Sequence, residues 1–187
     1  DAGTVLVKDI RAGDTGSSPS SLTNVAGTLF FSGSDGTTGA ELWKSDGTEA
    51  GTVLVKDIYP GSPSSLVNSL VVVNSILFFS ANDGVNGTEL WRSDGSEVGT
   101  YLVKNIHATT SSTPANLLNV NGTLFFTATD SANGLELWKS DGSESGTVLV
   151  KDIYPGSAGS TVRNLTDVNG TLFFTATDPL NGEEVWK

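Results

Sequence analysis

The chain has 187 residues, 37% of them hydrophobic, which is enough to bury the core of a folded domain. Its 21 acidic residues outnumber 10 Lys and Arg, and a net charge of -11 disfavours nucleic acid and anionic membrane surfaces as partners. The absence of cysteine excludes disulfides, thiolate metal sites and cysteine nucleophiles. No apolar run approaches the roughly 18 residues of a membrane helix, so membrane insertion is not expected. With no signal peptide and no Met, the sequence reads as a mature product or an excised piece.

An internal repeat organises the whole chain. Its four tryptophans follow one another at intervals of 48, 47 and 48 residues, and Gly-Thr pairs at 3, 51, 99 and 146 keep the same spacing. Such a period predicts a repeat architecture. We therefore expect a single repeat domain over 1–187, in which residues 1–10 complete the last repeat. The repeats lie at about 4–51, 52–99, 100–146 and 147–187.

Each repeat holds four short β segments, here called a, b, c and d in chain order. The stretch TVLVKDI (147–153) is a d segment, and LTDV (165–168), TLFFTAT (171–177) and EEVW (183–186) are the a, b and c segments that follow it. Segments a and b are joined by two residues, Asn-Gly in the later repeats, a pair that favours tight hairpins. No stretch has a helical period, so helices are not expected.

Four antiparallel strands in about 47 residues, without helices, predict an all-β fold, a β-propeller built from four four-stranded blades per chain. Consecutive apolar residues in LFF and VLV suit sheets that are covered on both faces, as stacked blades are. All eight Phe lie in the b segments and all four Trp in the c segments, and we expect these rings to form the core.

The two ends of the chain complement each other. The sequence starts with a d segment at residues 4–10 and ends after a c segment, so the N-terminal strand can close the last blade. Closure removes an exposed strand edge. One chain could close as a four-bladed monomer, or two chains could exchange end strands and form an eight-bladed homodimeric ring, and the larger ring is favoured.

The phrases ELWKSDGTEAGT, TVLVKDIYPGSPSSL and VNGTLFFTATD resemble the bacterial ELWxxDGT-repeat family over nearly the whole chain. The resemblance implies a propeller-forming array in a secreted or cell-surface bacterial protein, often with more than four repeats. It supplies no catalytic residues. The third repeat departs from the pattern with Asn105 where the others have Asp, and the YPGS loop is replaced by RAGD and HATT in the first and third connections.

The recurring charged residues are expected to be structural. One glutamate precedes each Trp, and eight of the ten bases occupy two repeat positions, so cross-strand or interblade pairing between them is expected. Catalysis needs unlike environments for its acid and base, whereas repetition supplies like ones, so an enzyme such as a glycosidase is not favoured. The glutamates are Glu41, Glu89, Glu136 and Glu184.

One aspartate ends each b segment, and two roles are open for it. The carboxylate could cap the amides of its own turn, which is the commoner role, or it could ligate calcium together with backbone oxygens. Calcium is the only cofactor that the sequence leaves open. The residues are Asp35, Asp83, Asp130 and Asp178.

Variation between the repeats is concentrated in the d–a connections, which share one face of the ring with the b–c turns. They differ in length and composition, whereas the other spacings are constant. Variable loops on a rigid frame are the usual place for binding. We therefore expect a non-enzymatic binding module for a glycan or protein ligand; a purely structural ring or assembly scaffold is the alternative. Candidate ligand-binding residues on this face are Arg11, Tyr59, His107, Tyr154 and Arg163.

Overall fold

The structure is a computed structural model, and it describes residues 3–187. The first sheet contains β1 (Ser20–Val25), β2 (Thr28–Ser34), β3 (Ala40–Ser45) and β4 (Val53–Lys56). The second contains β5 (Asn68–Val73), β6 (Ile76–Asn82), β7 (Thr88–Ser93) and β8 (Tyr101–Lys104). The third contains β9 (Ala115–Val120), β10 (Thr123–Asp130), β11 (Gly134–Ser140) and β12 (Val148–Lys151). The fourth has three strands, β13 (Arg163–Val168), β14 (Thr171–Asp178) and β15 (Gly182–Trp186).

The four sheets correspond to the four repeats. Every sheet is an antiparallel meander in sequence order, and the described residues form no helix, hence none able to span a membrane. The a strands of successive sheets contact one another, β1 with β5, β5 with β9 and β9 with β13, so the sheets are stacked in chain order with their a strands adjacent. The all-β prediction is confirmed, and the arrangement is β-propeller-like.

The a–b hairpins follow the predicted turn chemistry. Asn121 and Gly122 have φ of 50° and 81°, and Asn169 and Gly170 have 52° and 81°. Two successive positive φ angles are what a two-residue type I′ hairpin needs. The second repeat makes the same turn with Ser75 at φ 64°, a conformation that is costly for a residue with a Cβ.

The core lies between neighbouring sheets. Between the first and second sheets, Phe30 and Leu42 pack in one cluster with Phe79 and Trp91. Equivalent clusters lie between the second and third sheets and between the third and fourth. The aromatic-core prediction is therefore confirmed, although Trp186, in the edge strand of the last sheet, is only half-buried.

The ends are the one place where the described chain departs from the predicted blade. Residues 4–9 form no strand, and the last sheet ends at β15 with no fourth strand. The N-terminal segment lies instead against the first sheet, where Lys8 Nζ donates a hydrogen bond to the Thr52 carbonyl at 2.8 Å. Lys56 and Lys104 in β4 and β8 make the same bond to Thr100 and Thr147 of the following sheet. The segment thus occupies the place of a d strand that precedes the first sheet.

Candidate functional site

Four of the five candidate ligand residues share one repeat position. Each immediately follows the isoleucine at the end of a d segment, where the chain enters the d–a connection. All four side chains are half-buried, so each has both a packed and a solvent-exposed part. We call these residues the loop row: Arg11, Tyr59, His107 and Tyr154.

The first two members of the loop row pack against a glycine of the next b–c turn. A Cβ on Gly84 would lie 2.4 Å from Cε2 of Tyr59, and one on Gly36 would lie 2.9 Å from Nε of Arg11. A Cβ at either position would force the facing side chain to shift, so glycine is what allows Tyr59 and Arg11 to lie this close to the turn. The d–a connection and the b–c turn together form this face, as predicted.

The other two members have different neighbours. The Thr110 hydroxyl lies 2.9 Å from His107 Nδ1, and the Thr110 amide donates to the same nitrogen at 3.2 Å. The Tyr154 amide donates to Glu136 Oε1 at 3.3 Å. Of the four, only His107 has these contacts within its own d–a connection, and the four residues form a row with one member at the start of each d–a connection.

Arg163 is separate from the loop row. It is the first residue of β13, it is exposed, and its carbonyl accepts a hydrogen bond from the Thr175 hydroxyl at 3.5 Å. The structure thus places it on an a strand and not in a d–a connection.

Beneath the loop row, buried glutamates hold the d–a connections by the same hydrogen bonds in successive repeats. Glu41 on β3 is 0% exposed, and its two carboxylate oxygens accept from the Ile58 and Ser65 amides, each at 2.9 Å. Glu89 does the same on β7, accepting from the Ile106 and Ser112 amides at 2.9 Å. Each carboxylate therefore fixes both ends of the d–a connection that carries the next member of the loop row.

Glu136 completes this set on β11, and its contacts resemble those of Glu89. The Ser160 hydroxyl donates to Glu136 Oε2 at 2.5 Å, as the Ser112 hydroxyl does to Glu89 Oε2 at 2.5 Å. The predicted pairing of these three glutamates with lysine or arginine is wrong, because the loop amides and serine hydroxyls take that place. Glu184, the fourth member of the repeat position, is exposed on β15.

Burial raises the pKa of all three carboxyls, against the opposing effect of the hydrogen bonds from serine and the loop amides. The pKa of Glu41 rises from 4.5 to about 7, with a further contribution from the neighbouring Asp57 carboxylate. Burial also raises the pKa of Glu89 and Glu136, and Asp152 adds to the effect at Glu136. Asn105 replaces the acid beside Glu89, so that glutamate has no equivalent carboxylate neighbour.

The bases that were expected to pair with these glutamates bind carbonyls across the junctions. Lys44 Nζ donates to the Gly95 carbonyl at 2.8 Å, and Arg92 Nη1 donates to the Gly142 carbonyl at 3.4 Å. Both acceptors lie in the c–d turn of the following sheet. The bases therefore join neighbouring sheets, which agrees with a structural role but not with the predicted partner.

The four aspartates predicted as turn caps or calcium ligands cap their own b–c turns. Asp35 Oδ1 accepts from the Thr37 and Thr38 amides at 2.7 and 2.9 Å, and the hydrogen bond from the Thr38 amide is the main reason why the pKa of Asp35 falls to about 2. The other three bond amides two and three residues ahead in the same way. Within residues 3–187 no three His, Asp or Glu side chains cluster as metal ligands, and calcium binding at Asp35, Asp83, Asp130 and Asp178 stays a prediction.

Sequence reasoning missed the serines that bind the glutamates. Ser65, Ser112 and Ser160 are 0% exposed and lie 24, 23 and 24 residues after their glutamates. This repeated spacing was available in the sequence, but the serines stand in connections whose other residues vary.

Comparison with known proteins bears on the fold alone. Neither protein-family models nor curated proteins give a match for the chain. A puromycin hydrolase S511A mutant complexed with PGG is 18% identical, with a TM-score of 0.54 over 84% of this chain and 24% of that one. The computationally designed Ika8 protein is 15% identical, with a TM-score of 0.47 over 94% of this chain and 47% of that one. The chain thus spans less than half of either structure, and the likeness to the hydrolase supports a β-propeller-like fold.

Proposed function

We propose that this chain is a non-enzymatic binding module of a secreted or cell-surface protein, and that the loop row with its flanking d–a connections is the ligand face. The observation that carries the proposal is the diversity at a single repeat position. Arg, Tyr, His and Tyr directly follow a d segment that ends in isoleucine in every repeat, and all four side chains are half-buried. A purely structural position in a repeat would be expected to keep one residue type.

The chemistry of the loop row suits a glycan or a polar protein surface. A tyrosine offers an apolar ring face and a hydroxyl, which together can stack on a sugar and hydrogen-bond to it. Arg11 can bind a carboxylate in a bidentate manner. Tyr59 lies on Gly84 and Arg11 lies on Gly36, so both side chains are partly ordered before a ligand arrives, which lowers the entropy cost of binding.

The buried glutamates support a binding role over an enzymatic one. Glu41, Glu89 and Glu136 are 0% exposed, and their oxygens accept hydrogen bonds from loop amides and serine hydroxyls. An acid–base catalyst must reach its substrate within hydrogen-bond distance. The carboxylates instead hold the connections in place.

A glycan array tests the glycan form of the proposal. The wild-type chain is compared with a Tyr59→Ala, Tyr154→Ala double variant and with Tyr101→Ala, which removes an exposed tyrosine on β8 that is not part of the loop row. We expect at least a tenfold loss of binding in the double variant and none in the control. A null array with the wild-type chain, or an equal loss in the Tyr101 variant, counts against a glycan-binding loop row.

A purely structural ring is the second candidate function. It is favoured by one observation: within residues 3–187, β15 pairs with β14 alone and residues 4–9 form no strand. Ligand binding and ring formation use different residues, so one can fail while the other holds.

A further inference from the structure

The three junctions between neighbouring sheets share one set of apolar contacts. In the first junction, Phe30 and Leu42 of the first sheet pack with Leu77, Phe79 and Trp91 of the second. The same repeat positions form the second junction, with Phe78 and Leu90 on one side and Leu124, Phe126 and Trp138 on the other. A junction can therefore be described by an outgoing face and an incoming face.

The chain carries one more outgoing face than it uses. On the fourth sheet, Phe173 and Val185 are equivalent to Phe30 and Leu42, but Val185 is 71% exposed where Leu42 is 0% exposed. Val168, which ends β13, is 46% exposed, whereas its equivalent Val25 is buried. This apolar face of the fourth sheet has no partner among residues 3–187.

The chain also carries one unused incoming face. An apolar groove of about 490 Å³ lies between the N-terminal segment and the first sheet, and its walls include Leu6, Val7, Leu29 and Phe31. In the first junction the equivalents of Leu29 and Phe31 are Leu77 and Phe79, which pack against the preceding sheet; Phe31 is already buried at the base of the groove, whereas Leu22 on its wall is 62% exposed. The groove is therefore the place that an outgoing face would fill.

The polar groups that meet in a complete junction are also present here, the glutamate on the fourth sheet and its hydrogen-bond donors beside the first. Glu184 is exposed on β15, whereas the other three glutamates of its repeat position are buried. Ser17 and Ile10, the equivalents of the Ser65 and Ile58 that bind Glu41, are half-buried at the groove. Lys8 already donates to the Thr52 carbonyl, as the lysines of complete junctions do.

We propose that the outgoing face of one copy binds the incoming face of a second copy, so that two chains form an eight-sheet ring through two identical junctions. In each, β15 would pair with residues 5–8 of the other copy, and Glu184 would accept hydrogen bonds from its Ile10 and Ser17 amides. The register of β3 with β4 fixes the register of this pair: Leu42 opposite Lys56 becomes Val185 opposite Lys8, and Lys44 opposite Val53 becomes Lys187 opposite Val5.

A second copy is the occupant that the structure favours. Three junctions with one set of contacts carry the chain from the first sheet to the fourth, and β15 remains unpaired with the chain's own residues 4–9. A head-to-tail interface of this kind gives a closed ring when the rotation per copy is a half turn. Closure at both ends also leaves no exposed sheet edge to aggregate.

Light scattering on the wild-type chain tests the number of copies. We expect twice the chain mass of 19.4 kDa. Val185→Asp puts a charge on the outgoing face at a side chain that is exposed in one copy, so the variant should keep its circular dichroism spectrum and become monomeric. Leu180→Asp, at a residue 91% exposed in the fourth b–c turn, is the matched control and should stay dimeric. A wild-type monomer, a series of larger species, or a dimeric Val185→Asp variant would overturn the proposal.

Cross-linking tests the register and separates a second copy from self-closure. The chain has no native cysteine, so Val5→Cys with Lys187→Cys introduces a single pair of opposed residues. Oxidation should give a covalent species of twice the chain mass on a denaturing gel, and Val5→Cys with Leu180→Cys should not. A disulfide-bonded band at the single-chain mass would show that the chain closes on itself, and this result would also overturn the proposal.

Discussion

The buried glutamates make a strong prediction about how stability depends on pH. The pKa of Glu41 is about 7 in the folded chain, whereas the ordinary value for a glutamate is 4.5. Below pH 4.5 the carboxyl is protonated in both the folded and the unfolded chain. Between pH 4.5 and about 7 the unfolded chain releases the proton while the folded chain keeps it, so the free energy of unfolding falls as the pH rises. Above about pH 7 this loss is complete.

The magnitude follows from the size of the pKa difference. One pKa unit corresponds to about 1.4 kcal/mol, which sets an upper limit of roughly 3 kcal/mol for Glu41. The range from pH 5 to pH 7.5 covers most of this titration, so we expect a change of about 2 kcal/mol between these two pH values. Glu41→Gln keeps one carbonyl oxygen, which can accept from one of the two loop amides, and it cannot ionise. It should therefore remove this part of the pH dependence.

The assay is urea unfolding at pH 5 and at pH 7.5, followed by circular dichroism. Glu49→Gln is the matched control, because Glu49 is exposed and the substitution changes the net charge by the same amount. We expect the wild-type and Glu49→Gln chains to lose the same stability between the two pH values, and Glu41→Gln to lose less by about 1 kcal/mol or more. Equal losses in all three proteins would refute the assignment of a raised pKa to Glu41.

Three further predictions follow from the turns of the loop face and its opposite side. Gly84→Ala should lower the free energy of unfolding and shift the Tyr59 ring resonances, whereas Gly47→Ala, with a similar φ but open space at the Cβ, should only destabilise. Ser75→Gly should raise the free energy of unfolding by up to about 1 kcal/mol, because Ser75 has a positive φ of 64°, which a residue with a Cβ adopts at a cost. The melting temperature should rise accordingly, and a lower one would contradict this prediction. Calcium and EDTA should both leave the melting temperature unchanged, because one carboxylate oxygen of each b–c aspartate already caps its own turn; a rise with calcium would instead support calcium binding by Asp35, Asp83, Asp130 and Asp178.

The sequence predicts the sheets well because their determinants are local or periodic. Asn121-Gly122 specifies its own hairpin, and the spacing of the tryptophans indicates the repeat without any knowledge of the fold. The role of Glu41 could not be predicted in the same way. The repeat shows a recurring acid and recurring bases, and opposite charges suggest pairing, but the true partners are backbone amides, whose positions depend on how the d–a connection folds back over β3.

The glutamates also explain how the loop row can vary without cost to the fold. Tyr59 and His107 follow isoleucines whose amides donate to Glu41 and Glu89, and the amides of His107 and Tyr154 themselves donate to Glu89 and Glu136. The backbone at these three positions is therefore held by a residue on the neighbouring c strand and not by the side chain of the row. Because the support is independent of the side chain, substitutions in the row should change what the surface binds more than they change stability. The buried glutamate beneath each of these variable positions thus connects the repeated sheets to the proposed ligand face.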